Sequence, residues 1–457
     1  MSIETALSRL STLLGNRLSR SKPDLEAHGR SETHFPPAPP DAVAWPETTE
    51  EVAELVKICA AERCPVVGWG AGTSLEGHAL ALRGGVAVDF SRMNRVLKIN
   101  AEDMDVVVQP GLTREELNRE LRATGLFFPV DPGANATLGG MAATRASGTT
   151  AVRYGTMRDN VLATQAVLAD GRVIRTGTRA RKSSAGYDLT ALLVGSEGTL
   201  GLITELTLRL HGQPEAISAA VCAFPSISDA VNAVIATIQT GIPMARIEFV
   251  DETSAEAFNR YAGTDFPQLP HLMVEFHGSP GAVAEDARRF GEIVADFDGS
   301  GFRWSDRTED RTALWTMRHN AFYAGLALRP GASAVVTDIC VPISRLAEAV
   351  EQTRADIAAS PLQGPILGHV GDGNFHALLL VDRADKAEMD EALRLSARMA
   401  ERALRLGGTV TGEHGIGMGK LGYMEAEHGP GWNVMAEIKR ALDPHDILNP
   451  GKLVPQG

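Results

Sequence analysis

Two glycine-rich stretches of the sequence decide the fold. Residues 68–78 read GWGAGTSLEGH, and residues 131–148 read DPGANATLGGMAATRASG. The first stretch continues a short β-like run and can offer unobstructed backbone N–H groups to a diphosphate, because glycine has no Cβ. In the second stretch, Gly139 and Gly140 open a small-residue helix whose N-terminus can receive an anion. Neither stretch fits G-x-G-x-x-G after the first strand of a βαβ unit or G-x-x-x-x-G-K-[ST], so the pair predicts a dinucleotide site outside both classes.

Short β-like runs and capped helices surround these loops. Thr48 with Glu51 and Thr113 with Glu116 each match the capping box that begins a helix. An Asp-Gly pair at 170–171 separates two β-like runs and predicts a hairpin. The first half of the chain is therefore expected to be α+β.

Three segments are expected along the chain. Residues 1–35 form an N-terminal helical segment, and residues 36–212 form the α+β domain with the glycine loops. From residue 213 the strands alternate with longer amphipathic helices, which indicates an α/β domain over residues 213–457. About the last 30 residues are expected to pack back on the middle segment.

Composition limits the classes of function. The chain has 457 residues, 44% of them hydrophobic, which is more than one core usually holds, and its formal net charge is -13. Acidic and basic residues are interspersed, which argues against nucleic acid and against a polybasic membrane surface. We expect no signal, transit or transmembrane segment, since no apolar run approaches a membrane span. The four cysteines form no C-x-x-C motif, so a reduced cytoplasmic location is expected.

Polar residues gather in glycine-rich turns near the C-terminus. His369 and His376 flank VGDGNF between two apolar runs, and a strand, turn and strand would bring both imidazoles to one end of a hairpin. Farther on, TGEHGIGMGK places Glu413 beside His414. Each histidine alone is more often a hydrogen-bonded core or surface residue, but two imidazoles and a carboxylate together in glycine-rich turns are a typical three-ligand catalytic metal site.

The glycine loops, with VRYGTMRDNV and LLVGSEGTLGLIT, resemble the FAD-binding domain of the vanillyl-alcohol oxidase flavoprotein family over residues 36–212. The resemblance implies a two-subdomain FAD-binding domain. It also implies non-covalent FAD, because Thr73 stands where covalent members carry a histidine. The residues that the resemblance assigns to FAD are Gly70, Ala71, Gly72, Thr73, Ser74, Pro132, Gly133, Thr137, Gly139, Gly140, Thr144, Ser147, Gly148, Tyr154, Glu197, Gly201, Ile203 and Asn449.

The stretches GHVGDGNFH and GEHGIG, with the tail LDPHDILNPGK, resemble the C-terminal domain of FAD-linked D-2-hydroxy-acid dehydrogenases. The resemblance implies an α/β, ferredoxin-like substrate or cap domain. It implies a divalent ion, Zn²⁺ or Mn²⁺, on His369, His376 and Glu413, with Asn374 in the pocket and His414 as the catalytic base.

The chemistry of 2-hydroxy-acid oxidation explains these residue types. The Cα hydride moves to flavin N5 while the hydroxyl, a weak acid in water, loses its proton. A bound cation stabilises the developing alkoxide, and a histidine with a pKa near neutrality can accept the proton. The flavin supplies the redox chemistry.

A substrate carboxylate calls for a cationic group, and Arg318 in LWTMRHNAFYAGLALRPG is the candidate because guanidinium binds carboxylates bidentately. A surface helix arginine is the alternative. This segment and VVTDICVPISRL look closest to the cytochrome-type D-lactate dehydrogenase branch. In the 2-hydroxyglutarate branch a lysine stands at the place of Val336. With Trp315, Phe322 and Tyr323 nearby, the pocket is expected to suit a short apolar side chain.

The resemblance thus implies an oxidoreductase of the EC 1.1 class that oxidises D-lactate. Its electron acceptor is expected to be a cytochrome, a quinone or an electron-transfer flavoprotein, with the protein cytoplasmic or peripheral to the inner membrane. Glycolate and D-2-hydroxyglutarate remain alternative substrates, and a non-catalytic flavin subunit of an oxidase complex or a structural zinc protein are alternatives of another class. The sequence leaves the oligomeric state open, a homodimer included.

Overall fold

The structure, a computed structural model, describes residues 2–455 and divides into two compact units. The first unit takes the described residues up to Ser147, then Gly155–Gln213, and those from Glu413 onward. The second unit takes Gly148–Tyr154 and Pro214–Gly412. The chain thus enters the second unit after residue 213, close to the expected start of the C-terminal domain, and returns to the first unit at Glu413.

The strands and helices follow one another along both units. In the first unit the strands are β1 (Leu18–Ser19), β2 (Ala42–Ala44), β3 (Val66–Trp69), β4 (Val86–Asp89), β5 (Val96–Asn100), β6 (Asp105–Val108), β7 (Leu126–Phe127), β8 (Val161–Val167), β9 (Val173–Gly177), β10 (Leu202–Arg209) and β11 (His211–Gly212). In the second unit they are β12 (Ala216–Ala223), β13 (Met244–Val250), β14 (His271–Gly278), β15 (Ser300–Ser305), β16 (Ser333–Val336), β17 (Ile339–Cys340), β18 (Ile366–Gly368) and β19 (Asn374–Val381).

The α-helices follow in the same order. The chain forms α1 (Ile3–Leu14), α2 (Lys22–His28), α3 (Thr49–Glu62), α4 (Arg114–Glu120) and α5 (Leu138–Thr144) in the first unit, α6 (Ala151–Tyr154) in the second, and α7 (Met157–Asn160) and α8 (Leu189–Leu193) in the first. The second unit then holds α9 (Ile227–Gln239), α10 (Glu252–Ala262), α11 (Pro280–Asp296), α12 (Thr308–His319), α13 (Ala321–Ala327), α14 (Leu346–Ala358) and α15 (Lys386–Arg405), and the first unit ends with α16 (Met424–His428) and α17 (Pro430–Leu442). Within residues 2–455, no helix combines the length and the apolar composition needed to cross a membrane.

Local sequence signals account for the helix starts and the hairpin. The Thr113 hydroxyl accepts the Glu116 N–H at 3.3 Å, and the Glu116 carboxylate accepts the Thr113 N–H at 3.1 Å, so α4 begins with a complete capping box. Thr48 caps α3 in the same way, but the Glu51 carboxylate binds the Arg17 guanidinium, so that box is only half formed. The predicted hairpin is present as the antiparallel pair β8 and β9.

The first unit contains two larger sheets with separate cores. The first has the order β1-β2-β4-β3 and packs against α1 and α3, so residues 3–14 belong to this core. The second is the antiparallel sheet β5-β6-β10-β8-β9, which packs against α4 and α5. The mixture of helices and strands agrees with the expected α+β class, and the two-subdomain organisation stays a prediction.

The second unit is built on one antiparallel sheet whose two faces differ. Its order is β15-β12-β14-β13-β18-β19-β16, and β17 also pairs with β19. Because side chains alternate along a strand, Ile247 and Phe249 point toward α9, α11, α14 and α15, whereas Arg246 and Glu248 point to the opposite face. We call that opposite face, defined by Arg246, Glu248, Glu275, His277 and His376, the polar face. The ferredoxin-like detail stays a prediction.

Candidate active site

The two glycine loops of the first unit meet each other. A Cβ added to Gly70 would lie 2.4 Å from Thr137 Oγ1, so the first loop passes the second too closely for any side chain. A Cβ at Gly139 would lie 2.4 Å from Pro110 Cβ. Thr137 caps α5, and its hydroxyl accepts the Gly140 N–H at 3.3 Å. The two loops therefore meet as partly exposed backbone without intervening side chains, which we call the glycine groove, and backbone of this kind suits a dinucleotide diphosphate.

Most of the residues assigned to FAD belong to the first unit. Those of the first loop and of the segment before α5 are partly exposed, except Thr137, which is buried, and Ala71 and Gly133, which are exposed. Ile203 is buried on β10, directly after Gly201 and Leu202. Gly148 and Tyr154 fall in the second unit, where the Tyr154 hydroxyl lies 2.7 Å from His277 Nδ1. The backbone of the groove fits FAD, while the individual FAD contacts stay predictions.

Glu197 and Asn449 form a buried network that holds the loop after Glu413. The Glu197 carboxylate accepts the N–H groups of Ile416 at 2.7 Å and Gly417 at 2.8 Å. The Asn449 side-chain amide donates to the carbonyls of Glu197 at 2.7 Å and His78 at 3.0 Å. Burial alone would raise the pKa of Glu197, but the adjacent His78 and the two backbone donors lower it. The Glu197 carboxylate thus binds this loop directly, and the Asn449 amide binds the backbone of Glu197 and His78.

In the second unit, His369 and His376 face each other. His369 follows β18 and His376 lies on β19, and these strands pair antiparallel across the turn. The ring centroids are 5.6 Å apart with an interplanar angle of 79°, and both side chains are buried. The predicted hairpin therefore does bring the two imidazoles together.

The partners of the two rings fix the tautomers. His376 Nδ1 lies 3.0 Å from the Thr337 carbonyl oxygen, and His369 Nδ1 lies 2.7 Å from Glu248 Oε1. A carbonyl or carboxylate can only accept, so each Nδ1 carries a proton, and in the neutral ring each Nε2 then presents a lone pair. An outer acceptor on the other ring nitrogen is the usual arrangement for histidine ligands of metals.

Arg318, near the end of α12, shares Glu248 with His369. Arg318 Nη2 donates to Glu248 Oε2 at 2.5 Å, and all three side chains are buried, which excludes a surface arginine. Burial alone would raise the pKa of Glu248, but the charges and hydrogen bonds of His369 and Arg318 hold it below its usual value. Sequence reasoning missed Glu248. The available signal was a lone acidic residue between apolar neighbours in the strand sequence MARIEFV.

Asn374 and Asp338 hold the segment that leads to Glu413. The Asn374 amide donates to Asp338 Oδ1 and to the Ile339 carbonyl, both at 2.7 Å. Asp338 Oδ2 accepts the Gly412 N–H at 2.9 Å, and a Cβ at Gly412 would lie 2.1 Å from Asn374 Nδ2. Glu413 is the next residue in the chain.

The predicted metal ligands are divided between the two units. His369 and His376 lie in the second unit and Glu413 begins the last segment of the first unit, so the complete ligand set stays a prediction. His414 Nε2 lies 3.8 Å from Glu413 Oε1. Two imidazoles with one carboxylate suit Zn²⁺ or Mn²⁺, so the donor set fits the implied ion.

Val336 lies on the same face of the sheet as His376. It pairs with Leu378, two residues along β19 from His376, and packs against an apolar cluster that includes Trp315. The expectation that Phe322 and Tyr323 also line this region is wrong, because both are exposed and contact each other edge to face, 5.6 Å between centroids. They follow the last turn of α12 on α13, whose buried side is formed by small residues.

Family models match most of the chain. A model described as "FAD binding domain" matches residues 40–177, and one described as "FAD linked oxidases, C-terminal domain" matches residues 213–453. With its paired glycine loops, the chain is thus an FAD-binding flavoprotein. Since the second model alone covers more than half of the sequence, the chain belongs to the FAD-linked oxidases.

Relatives and a solved structure agree with that assignment. "Probable D-lactate dehydrogenase, mitochondrial" of Danio rerio is 50% identical over 433 residues, 94% of this chain and 87% of the relative. "D-lactate dehydrogenase [cytochrome], mitochondrial" of Arabidopsis thaliana is 45% identical over 452 residues, 98% of this chain and 80% of the relative. The isoeugenol complex of 4-ethylphenol oxidase from Gulosibacter chungangensis has a TM-score of 0.79 at 19% identity, covers 98% of this chain and 96% of its own, and shows the fold alone.

The expected cytoplasmic location is wrong. The relatives from Danio rerio and Arabidopsis thaliana are both named as mitochondrial, which points to a mitochondrial location instead. The cysteine count and the absence of a recognisable leader carried the expectation, and neither identifies a compartment.

Proposed function

We propose that this flavoprotein oxidises D-lactate to pyruvate and passes the electrons to a cytochrome. The names of its relatives support the substrate and the acceptor. One structural observation carries the chemistry: two buried imidazoles, 5.6 Å apart, present Nε2 lone pairs beside an arginine.

In this proposal His369, His376 and Glu413 hold a divalent cation, Zn²⁺ or Mn²⁺. The tautomers of both histidines and the acidic residue directly after Gly412 support that ligand set. A bound cation supplies positive charge where the substrate hydroxyl becomes an alkoxide. His414 takes the hydroxyl proton at Nε2, and Asn374 keeps the Gly412 segment in place through Asp338.

FAD supplies the acceptor for the substrate's Cα hydride when bound. The backbone groove at Gly70 and Thr137 binds its diphosphate in this proposal, and Thr73 leaves the flavin non-covalent.

Arg318 binds the substrate carboxylate and Val336 sets the size of the substrate. The guanidinium is buried and held at Nη2 by Glu248, which keeps it oriented for the carboxylate of the substrate. The surroundings of Val336 are apolar, so a substrate with a methyl group is favoured there and a second carboxylate would be desolvated without a cation.

Anaerobic titration of the purified protein tests the proposal. D-lactate should bleach the flavin spectrum, L-lactate should not, and reduced flavin should be reoxidised by cytochrome c. A preference for D-2-hydroxyglutarate would reject the role of Val336, and a preference for glycolate would reject D-lactate as the substrate. No bleaching by any 2-hydroxy acid would favour a non-catalytic flavin subunit.

A further inference from the structure

Glu248 is a buried carboxylate on the polar face that serves two groups at once. Its Oε1 is 2.7 Å from His369 Nδ1, and its Oε2 is 2.5 Å from Arg318 Nη2. The side chain has no exposed surface. We propose that Glu248 is a positioning residue that sets the proposed metal ligand His369 and the proposed substrate-binding Arg318 together. The inference rests on the proposed function, since it assigns a common support to two of its groups.

The hydrogen bond at Nδ1 carries the argument for His369. A carboxylate on Nδ1 keeps the proton there, so that in the neutral ring Nε2 is the nitrogen with the lone pair. Without that acceptor the ring could move its proton to Nε2 and lose its capacity as a ligand. Glu248 thus selects the tautomer that a metal requires.

The same reasoning applies to Arg318. Its Nη2 is held by Glu248, while its Nε is buried and has no hydrogen-bond partner among residues 2–455. A buried donor without a partner is costly unless a ligand accepts from it. A substrate carboxylate has an oxygen acceptor for that donor, and Glu248 holds the guanidinium in one orientation for it.

A glutamine at position 248 cannot serve both partners. Its carbonyl oxygen can accept from His369 or from Arg318, and its amide group then faces the other donor with hydrogens of its own. One of the two partners must therefore turn away or, for His369, change tautomer. A single substitution should disturb metal binding and substrate binding together.

The test compares Glu248→Gln, Glu248→Asp and the control Asp356→Asn in FAD-loaded protein. Asp356 is also a largely buried carboxylate paired with an arginine, Arg402, but it joins α14 to α15 on the other face of the sheet. Competition with a fluorescent chelator gives the affinity for Mn²⁺ and Zn²⁺. Steady-state kinetics at saturating metal give KM for D-lactate, and ¹H–¹⁵N spectra of histidine-labelled, chelator-treated protein give the tautomer of His369, whose signal a His369→Gln variant identifies.

We expect Glu248→Gln to weaken metal binding about 10-fold to 100-fold, to raise KM at saturating metal, and to shift the His369 signal toward the other tautomer. Glu248→Asp should recover part of each effect, and Asp356→Asn should change none of them although it lowers the unfolding temperature. Unchanged metal affinity and an unchanged tautomer in Glu248→Gln would overturn the inference, as would equal losses in Asp356→Asn. If D-lactate fails to bleach wild-type flavin while the metal affinity and tautomer still respond to Glu248→Gln, the proposed substrate is wrong and the positioning role stands.

Discussion

Replacing Gly412 by alanine should disable the site without disturbing the FAD-binding groove. The added Cβ would lie 2.1 Å from Asn374 Nδ2 and 2.6 Å from Asn374 Cγ. Ordinary contacts of this kind need about 3.5 Å, so either the amide or the backbone beside Glu413 must move by roughly 1 Å. The Asn374 amide is held at 2.7 Å by both Asp338 and Ile339, so part of the movement falls on the chain that carries Glu413.

A displacement of that size is large for a catalytic group. A misplacement of about 1 Å can cost on the order of 100-fold in rate, so kcat/KM for D-lactate should fall by about that factor in Gly412→Ala. The FAD content should stay at the wild-type value, because the glycine groove is formed by other residues. The matched control is Gly422→Ala, where nothing lies within 4 Å of the added Cβ. Wild-type kcat/KM in Gly412→Ala, measured with metal and FAD saturating, would refute the reasoning.

Three further perturbations test other parts of the molecule. Burial raises the pKa of Asp251 to about 7, so the folded state binds this proton more tightly than the unfolded chain and loses stability as the pH rises from about 4 to about 7. Asp251→Asn, which keeps the α10 cap, should therefore gain stability over wild type by up to about 1.4 kcal/mol for each pH unit between about 4 and about 7. Urea unfolding of both proteins at several pH values measures this gain, and a stability difference that does not change with pH would contradict the assignment. Glu197→Gln retains one acceptor for Ile416 or Gly417 and should lower the free energy of unfolding by about 1.5–3 kcal/mol. Urea titration measures this change, and an unchanged free energy of unfolding would exclude the anchoring role. Val336→Lys places a cation where the pocket is apolar and should shift kcat/KM from D-lactate toward D-2-hydroxyglutarate by about 10-fold or more, and an unchanged ratio would show that Val336 does not contact the substrate.

The sequence predicted the elements whose causes are local. The Thr113 capping box, the β8–β9 hairpin and the turn between His369 and His376 each depend on residues a few positions apart, and all are present. The glycine loops were also visible, because a close approach such as Gly70 to Thr137 excludes every side chain. The residue at which the chain returns to the first unit, Glu413, left no such local signal and lies before the roughly 30 last residues for which the return is expected.

The support of the candidate site is not visible in the sequence for a physical reason. Glu248 meets His369 across 121 residues and Arg318 across 70. The pairing of β13 with β18 brings His369 to Glu248, and α12 carries Arg318 to the same carboxylate. No residue next to Glu248 in the sequence specifies these contacts. A loop that binds phosphate through its backbone, by contrast, has its glycines close together in the sequence, where they can be recognised.

The side-chain site of the second unit and the backbone site of the glycine loops also differ in the elements that carry them. His376 and Asn374 lie on a central strand and Arg318 on a helix, and a site that must keep reacting atoms within about 0.5 Å is best built on such elements. A diphosphate needs only backbone N–H groups with no side chain above them, which loops can offer. Substitutions at Gly70 and Gly139 should therefore act through steric contact with Thr137 and Pro110, while substitutions of Glu248 should act through lost hydrogen bonds to His369 and Arg318. That difference predicts that Gly70 and Gly139 tolerate no side chain, whereas Glu248 tolerates aspartate better than glutamine, because charge and acceptor geometry matter there more than volume.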